Sequence, residues 1–164
     1  MVWGCFVGDK LGPIVFIDGI CNSDVYIDIL QNNLLPYLDA LAKEGISGII
    51  FQQDNASCHV SNKTHAWFAR ATNEHRCSIM DWPPNSPDMN LIENLWAYLK
   101  AELYKRYPDT ATLHGPPHVI WAKLRERLLE VWWEIGEGIL NRLVNSMVDN
   151  VQALNAVEGW YMGY

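Results

Sequence analysis

Two stretches of this chain gather side chains of the types that hold divalent cations or move protons. The first is Gln52-Gln53-Asp54-Asn55-Ala56-Ser57-Cys58-His59. The second is Trp82-Pro83-Pro84-Asn85-Ser86-Pro87-Asp88-Met89-Asn90-Leu91-Ile92-Glu93-Asn94-Leu95-Trp96. A carboxylate at a strand end and another in the first turn of a later helix can converge on one cation. Mg²⁺ prefers oxygen ligands and keeps several waters, so a few carboxylates suffice. Two such ions about 4 Å apart activate an attacking water or hydroxyl and stabilise the leaving oxygen in phosphoryl transfer. The same residues also have plainer uses. Asp54 can cap the following turn, Asn90 and Glu93 have the spacing of a capping box, and Asp88 is equally a helix N-cap. Spacing alone leaves these alternatives open.

The elements that must position these residues can be read along the chain. Residues 2–7 and 13–17 are short apolar, partly β-branched runs, and the turn 8–12 between them suits a hairpin. Ser23 or Asp24 can cap a helix over roughly 24–43, whose apolar residues Val25, Ile29, Leu30, Leu34 and Leu38 recur at helical spacing and which Pro36 can kink. Residues 48–54 read as a strand, apolar on both faces at first, as in a covered parallel strand, then polar at its C-terminal end. A helix over about 61–74, a strand at 77–80, a helix from near Asp88 to about 106, a loop at 107–117 and helices over about 118–134 and 137–154 follow. Hairpin, helix, strand, helix, strand, helices is an α/β pattern with a mixed sheet. In such sheets ligands gather beyond the C-terminal ends of strands, where Asp54 falls.

A chain of 164 residues with 49% hydrophobic and 19% charged side chains has the composition of one globular domain and excludes wholesale disorder. The formal net charge of -7 opposes the usual basic face of a nucleic-acid binder. The distribution is uneven, because half of the Lys and Arg fall in one stretch: Lys100, Lys105, Arg106, Lys123, Arg125 and Arg127. A solvated helix face is the plain reading of such a run. Cys5, Cys21, Cys58 and Cys77 form no C-x-x-C pair and read as reduced thiols. With no leader and no long apolar run, the chain is expected to be soluble and intracellular, with no membrane partner.

The pairing of Gln-Gln-Asp-Asn-Ala-x-x-His with Trp-Pro-x-x-Ser-Pro-Asp-x-Asn-x-Ile-Glu-Asn-Leu-Trp closely resembles the catalytic domain of Tc/mariner-type transposases. Val2-Trp-Gly-Cys-Phe6, Ile17-Asp-Gly19 and Leu143-Val-Asn-Ser-Met147 are similar to that family too, so the resemblance spans about residues 2–155. It implies an RNase H-like mixed sheet flanked by helices in a partial catalytic domain over 1–155, followed by a tail at 156–164. It also implies a DDE or DDD acidic triad and Mg²⁺- or Mn²⁺-dependent cut-and-paste DNA transposition with two ions in the intact site. Asp54 matches the second acid and Glu93 the third, with slightly more residues between them than in many relatives. Both are expected catalytic and metal-binding residues, and Asn55, His59 and Lys100 are expected DNA-facing residues. DNA is the implied partner, a second copy of the chain is an allowed one, and a nuclear location follows if the source is eukaryotic.

The chain departs from the family pattern at both ends. The first triad Asp would lie on a strand shortly before Trp3-Gly4, upstream of Met1, so the fold is expected to lack its usual first central strand and to expose unpaired edges beside the gap. Cationic positions of the family's C-terminal end are replaced, and phosphate contacts carry most non-specific DNA affinity, so weak DNA binding is expected. The resulting expectation is a DNA transposase/endonuclease-type domain that is inactive as this fragment. The alternative is a non-catalytic, domesticated or decayed remnant acting through protein contacts.

Glu93, Ala97 and Lys100 share a helix face, which can point Lys100 at a phosphate or simply at solvent. His59 can orient substrate or brace its loop. Cys58, His59, His65, His75 and Cys77 fit no common zinc spacing. Trp67, Phe68, Trp132 and Trp133 are expected in the core.

Overall fold

The computed structural model describes residues 1–75, 77–83 and 89–156, with the backbone alone described at 72–75 and 153–156. Residues 84–88, with Asp88 as the expected helix start, and the tail at 157–164 lie outside the described residues. The chain divides into two compact units: residues 1–7 with 12–90, and residues 8–11 with 91–164.

The chain opens with β1 (Val2–Val7) and β2 (Lys10–Phe16), which pair as a hairpin, with β1 and the part of β2 from Gly12 onward in the first unit. Met1 N donates to Ile17 O at 3.1 Å and Ile17 N to Met1 O at 2.9 Å, the reciprocal exchange of an antiparallel pair. β2 begins three residues earlier than the β-branched run suggests, because Lys10, Leu11 and Gly12 pair through their backbones. Gly12 is needed where it stands. A Cβ there would lie 2.9 Å from Cys5 O, 2.9 Å from Tyr37 Cε1 and 2.5 Å from Cys5 Sγ.

The expected helix over 24–43 is present in three parts: α1 (Ser23–Ile29), a π-helical turn (Leu30–Leu34) and α2 (Leu35–Lys43). Its cap is Asn22 rather than Ser23 or Asp24, since Asn22 Oδ1 accepts from Asp24 N and Val25 N at 3.0 Å each. Pro36 has no N–H to continue the α ladder. The turn before it widens so that Leu35 N bonds Leu30 O, and Asn32 and Asn33 donate side-chain amides to Asp28 O at 2.9 Å and Ile29 O at 3.0 Å. The widened turn keeps a stripe spaced by four residues (Tyr26, Leu30, Leu34 and Leu38, then Leu41) on the buried side, anchored on Tyr26 instead of Val25. At the C-terminus Gly45 takes φ +84, and Gly45 N to Ala42 O (3.0 Å) with Ile46 N to Leu41 O (3.0 Å) close a Schellman motif.

β3 (Ile49–Phe51) pairs in parallel with β4 (Cys77–Ile79), Ile49 opposite Cys77 and Phe51 opposite Ile79. The sheet expected to be mixed but lacking a central strand is present as two separate two-stranded pieces, β1-β2 and β3-β4. β3 is shorter than expected, and Ile50 is 57% exposed, so the strand is covered on one face only. Between these strands runs α3 (Asn62–His75), capped by Ser61, whose Oγ accepts from Thr64 N at 3.1 Å. Trp67, Phe68 and Ala71 of α3 join the stripe of α1 and α2 in one hydrophobic cluster, with Ile49, Phe51 and Ile79 packed against it.

The second unit is helical: α4 (Leu91–Arg106), a 3₁₀ turn (Pro108–Thr112), α5 (Pro117–Trp133) and α6 (Glu137–Ala156). Leu95, Leu99 and Leu103 bury one face of α4 at four-residue spacing, and Val131, Trp132, Ile135 and Leu140 complete this core. Trp132 is fully buried and stacks on Trp96 at 5.4 Å, but Trp133 is 59% exposed, against the expectation for the pair. Successive helical residues point about 100° apart, so adjacent tryptophans cannot both face one core. Among the described residues no helix is long and apolar enough to cross a membrane.

Candidate functional site

The polar segment after β3 leaves the sheet at Gln52. The ladder ends at Phe51, whose carbonyl accepts Met80 N at 3.0 Å. Gln52 Nε2 donates to Met89 O at 3.0 Å and approaches Asn90 Oδ1 at 3.5 Å, tying the strand end to the segment before α4. Gln53 turns the other way. Its Oε1 accepts the Tyr26 hydroxyl at 2.6 Å, and its Nε2 reaches His59 O at 3.4 Å.

Asp54 comes next, with a side chain 49% exposed. Its Oδ1 accepts Ala56 N at 3.0 Å, closing an Asx turn, and also accepts His59 Nδ1 at 2.6 Å. The plain reading of Asp54 as a turn cap is therefore realised, on one of its two oxygens. Among the described residues Oδ2 has no hydrogen-bond partner, so the carboxylate is oriented yet keeps an oxygen available. That suits a hard cation content with one carboxylate oxygen and several waters. Among the described residues no cluster of three His, Cys, Asp or Glu side chains could hold a metal.

His59 is in turn held by Tyr26, whose ring lies 4.2 Å from the imidazole with the planes tilted by 37°. Burial raises the Tyr26 pKa well above the usual tyrosine range, and nearby Cys58 and Asp54 push it the same way. The hydroxyl therefore stays protonated and donates to Gln53. The loop ends in its own lock: Thr64 Oγ1 donates to Cys58 O at 2.6 Å and lies 3.0 Å from Ser61 Oγ.

Asn55 donates Nδ2 to Trp82 O at 3.2 Å and so links the two motifs. Glu93, Ala97 and Lys100 all sit on the exposed side of α4, away from Leu95 and Leu99. Four of the clustered cations are engaged within their own unit. Arg127, with a side chain only 8% exposed, donates Nη2 to Asp109 Oδ2 and Nη1 to Thr110 Oγ1, both at 2.7 Å, beneath the Tyr107 ring. Lys123 also reaches Asp109, Lys105 pairs with Glu102, and Arg106 pairs with Glu134 at 2.5 Å and Glu130 at 3.6 Å. The Arg127 guanidinium holds the Asp109 carboxyl below its ordinary range.

Tyr26 was invisible as a site residue in the sequence. It lies 27 positions before Gln53 and looks like one more apolar member of a helical stripe.

A mixed α/β arrangement with an aspartate just past the end of a parallel strand is an RNase H-like layout. Residues 7–114 match the family model described as DDE superfamily endonuclease, and the chain belongs to that family. It is 34% identical over 167 residues to the transposable element Tc3 transposase of Caenorhabditis elegans, covering all of this chain and 45% of the relative. It is 30% identical over 164 residues to the Tcb2 transposase of Caenorhabditis briggsae, covering all of this chain and 54% of the relative. The chain thus spans about half the length of these curated relatives. Its fold is similar to the catalytic domain of Mos1 transposase solved with Raltegravir and Mg, with a TM-score of 0.78 at 14% identity over 99% of this chain and 76% of that one. The resemblance to Tc/mariner-type catalytic domains read from the two motifs therefore holds, as does the RNase H-like fold.

Proposed function

We propose that this chain is the catalytic portion of a cut-and-paste DNA transposase, with Asp54 and Glu93 as two of its metal-binding acids. The observation that carries the reading is the Asp54 carboxylate, fixed through Oδ1 by His59 and Ala56 N, while Oδ2 has no hydrogen-bond partner among the described residues. When bound, Mg²⁺ or Mn²⁺ would supply an activated water and charge stabilisation at the phosphodiester. The chain's own residues do the positioning. His59 and Tyr26 hold the aspartate in one orientation, Gln52 anchors the strand end, and Glu93 offers a second carboxylate from an exposed helix face. Lys100, on that same face, suits a DNA phosphate, and Asn55 and His59 flank the acid. DNA is the partner this reading requires. It also implies a nuclear site of action if the source is eukaryotic, and admits a second copy of the chain.

Residues 1–164 taken alone hold two of the three acids of the family triad, so we infer that this segment binds Mg²⁺ weakly and does not cut DNA. Purified residues 1–164 can be titrated with Mn²⁺ and followed by paramagnetic broadening of NMR signals. Broadening near Asp54 that disappears in Asp54→Asn is expected, together with no Mg²⁺- or Mn²⁺-dependent cleavage of transposon-end DNA. Broadening unchanged by Asp54→Asn would remove the metal role, and robust cleavage would overturn the inference of inactivity.

A second reading is a non-catalytic remnant acting through protein contacts. It is favoured by the pairing of Lys105, Arg106, Lys123 and Arg127 with acids of their own unit, which withdraws them from phosphate. DNA affinity that barely changes with salt would support it over the first.

A further inference from the structure

Past Phe51 the backbone rungs between β3 and β4 end, yet the two continuations stay tied through side chains. Gln52 Nε2 donates to Met89 O at 3.0 Å and lies 3.5 Å from Oδ1 of the buried Asn90. Asn55 Nδ2 donates to Trp82 O at 3.2 Å. In the ladder residue 51 stands opposite residue 79, and residue 55 reaches residue 82, one short of the continued register. A side-chain amide thus takes the place of a backbone rung where the chain has left the sheet.

Asp54 lies between these two points of attachment. Gln52 precedes it by two positions and Asn55 follows it directly. Gln53 points the opposite way, as alternate residues of an extended chain do, toward the Tyr26 hydroxyl and His59 O. Asn55 is also the middle residue of the Asx turn in which Asp54 Oδ1 accepts Ala56 N, the same oxygen that accepts His59 Nδ1. A pull on the Asn55 amide is therefore a pull on the turn that orients the carboxylate.

We propose that Gln52 and Asn55 are positioning residues, a two-point clasp that makes the orientation of Asp54 depend on where Trp82 and Met89 are seated. One donor of Asn55, expected from the resemblance to face DNA, is committed within the protein instead. A ligand that shifts Trp82 or Met89 is then felt at the carboxylate without touching it. The consequence for metal binding rests on the reading of Asp54 as a metal-binding acid, and the clasp itself does not. Groups that orient a metal-binding side chain from behind are commonly worth about tenfold or more in metal affinity.

The test uses NMR of the full chain of residues 1–164. In the unaltered chain a scalar coupling is expected across each bond, from Gln52 Nε2 to the Met89 carbonyl and from Asn55 Nδ2 to the Trp82 carbonyl. Absence of either would overturn the proposal with no variant needed. Gln52→Met and Asn55→Leu keep the bulk of the side chain and remove the donated hydrogen. Each should speed exchange of the His59 Nδ1 proton with water by about fivefold, the worth of one hydrogen bond. Amide protons of the β3–β4 ladder should exchange as before. Broadening by Mn²⁺ near Asp54 should need about tenfold more metal in each variant. An unchanged His59 proton would overturn the clasp, as would ladder amides that loosen by the same factor, which marks a merely structural role. Mn²⁺ binding near Asp54 that is unchanged in both variants would overturn the coupling to the carboxylate. Broadening near Asp54 that is absent from the unaltered chain too would remove the metal role alone and leave the His59 proton to decide the clasp. If one variant fails to fold, judged by circular dichroism, the other variant and the couplings still decide.

Discussion

The loop around Asp54 and the charged layer on α5 solve opposite problems with similar numbers of polar groups. After β3, one carboxylate is gripped through a single oxygen by an imidazole and a backbone amide, while the groups around it (Tyr26, Gln52, Gln53, Asn55) are neutral. On α5 and its neighbours, cations and carboxylates satisfy each other: Arg127 with Asp109, and Arg106 with Glu130 and Glu134. The first arrangement orients a charge and leaves it usable. The second uses charge for cohesion and leaves less of it for an outside ligand. The cationic stretch that is so visible in the sequence is therefore largely taken up within its own unit, whereas the Asp54 side chain is 49% exposed.

The comparison can be broken most severely at the core of the helical unit. Trp132→Ala removes a fully buried ring stacked on Trp96, and a loss of about 3–5 kcal/mol is expected from urea unfolding followed by circular dichroism. A loss under ~1 kcal/mol would mean that the charged layer, not packing, holds this unit. In the first unit, Gly12→Ala drives a methyl into Cys5 O and Tyr37. A destabilisation of about 1–3 kcal/mol is expected, and a neutral result would show that the hairpin yields. Tyr26→Phe deletes the hydroxyl on Gln53 and should cost about 1–2 kcal/mol. NMR should also show greater motion of His59, because the network around it loses a member. An unchanged His59 would mean that ring contact alone suffices.

The smallest expected effect separates the two kinds of polar design by pH. The Arg127 guanidinium lowers the Asp109 pKa. The carboxylate's contribution to stability is thus fully present above the ordinary aspartate value of ~4 and is lost as pH falls through the lower folded value. Asp109→Asn should differ from the unaltered chain in thermal midpoint at pH 7, and the difference should shrink as the pH is taken below ~4. A pH-independent difference would show that geometry rather than charge is at work.

What the sequence disclosed was set by how local the cause is. The change from apolar Ile49-Ile50-Phe51 to polar Gln52-Gln53-Asp54 marked the strand end within a few residues, and helix bounds at α3, α5 and α6 fell within about two residues of the pattern. Where several neighbours could serve, only the backbone decided. Asn22, Ser23 and Asp24 are all competent caps, and the chain enters the helix so that Asn22 is the one extended at ψ 178. Contacts distant in sequence left no trace. Nothing around Tyr26 announces Gln53 or His59, and nothing around Arg127 announces Asp109. The burial of Ile50 and Trp133 was misjudged because hydrophobicity indicates what could be buried, not whether a partner surface is present.

The π-helical turn at Leu30–Leu34 bears on how this helix tolerates changes in length. In a regular helix, removing one residue rotates everything beyond it by about 100° and carries its apolar stripe away from the core. Here the extra residue is already stored in a widened turn. Deleting Gln31 would tighten that turn to ordinary α geometry and leave Tyr26 on one side and Leu38 and Leu41 on the other facing the same way. The chain can therefore shed a residue at this point with little change in core register, a latitude that the flanking turns of α1 and α2 do not share.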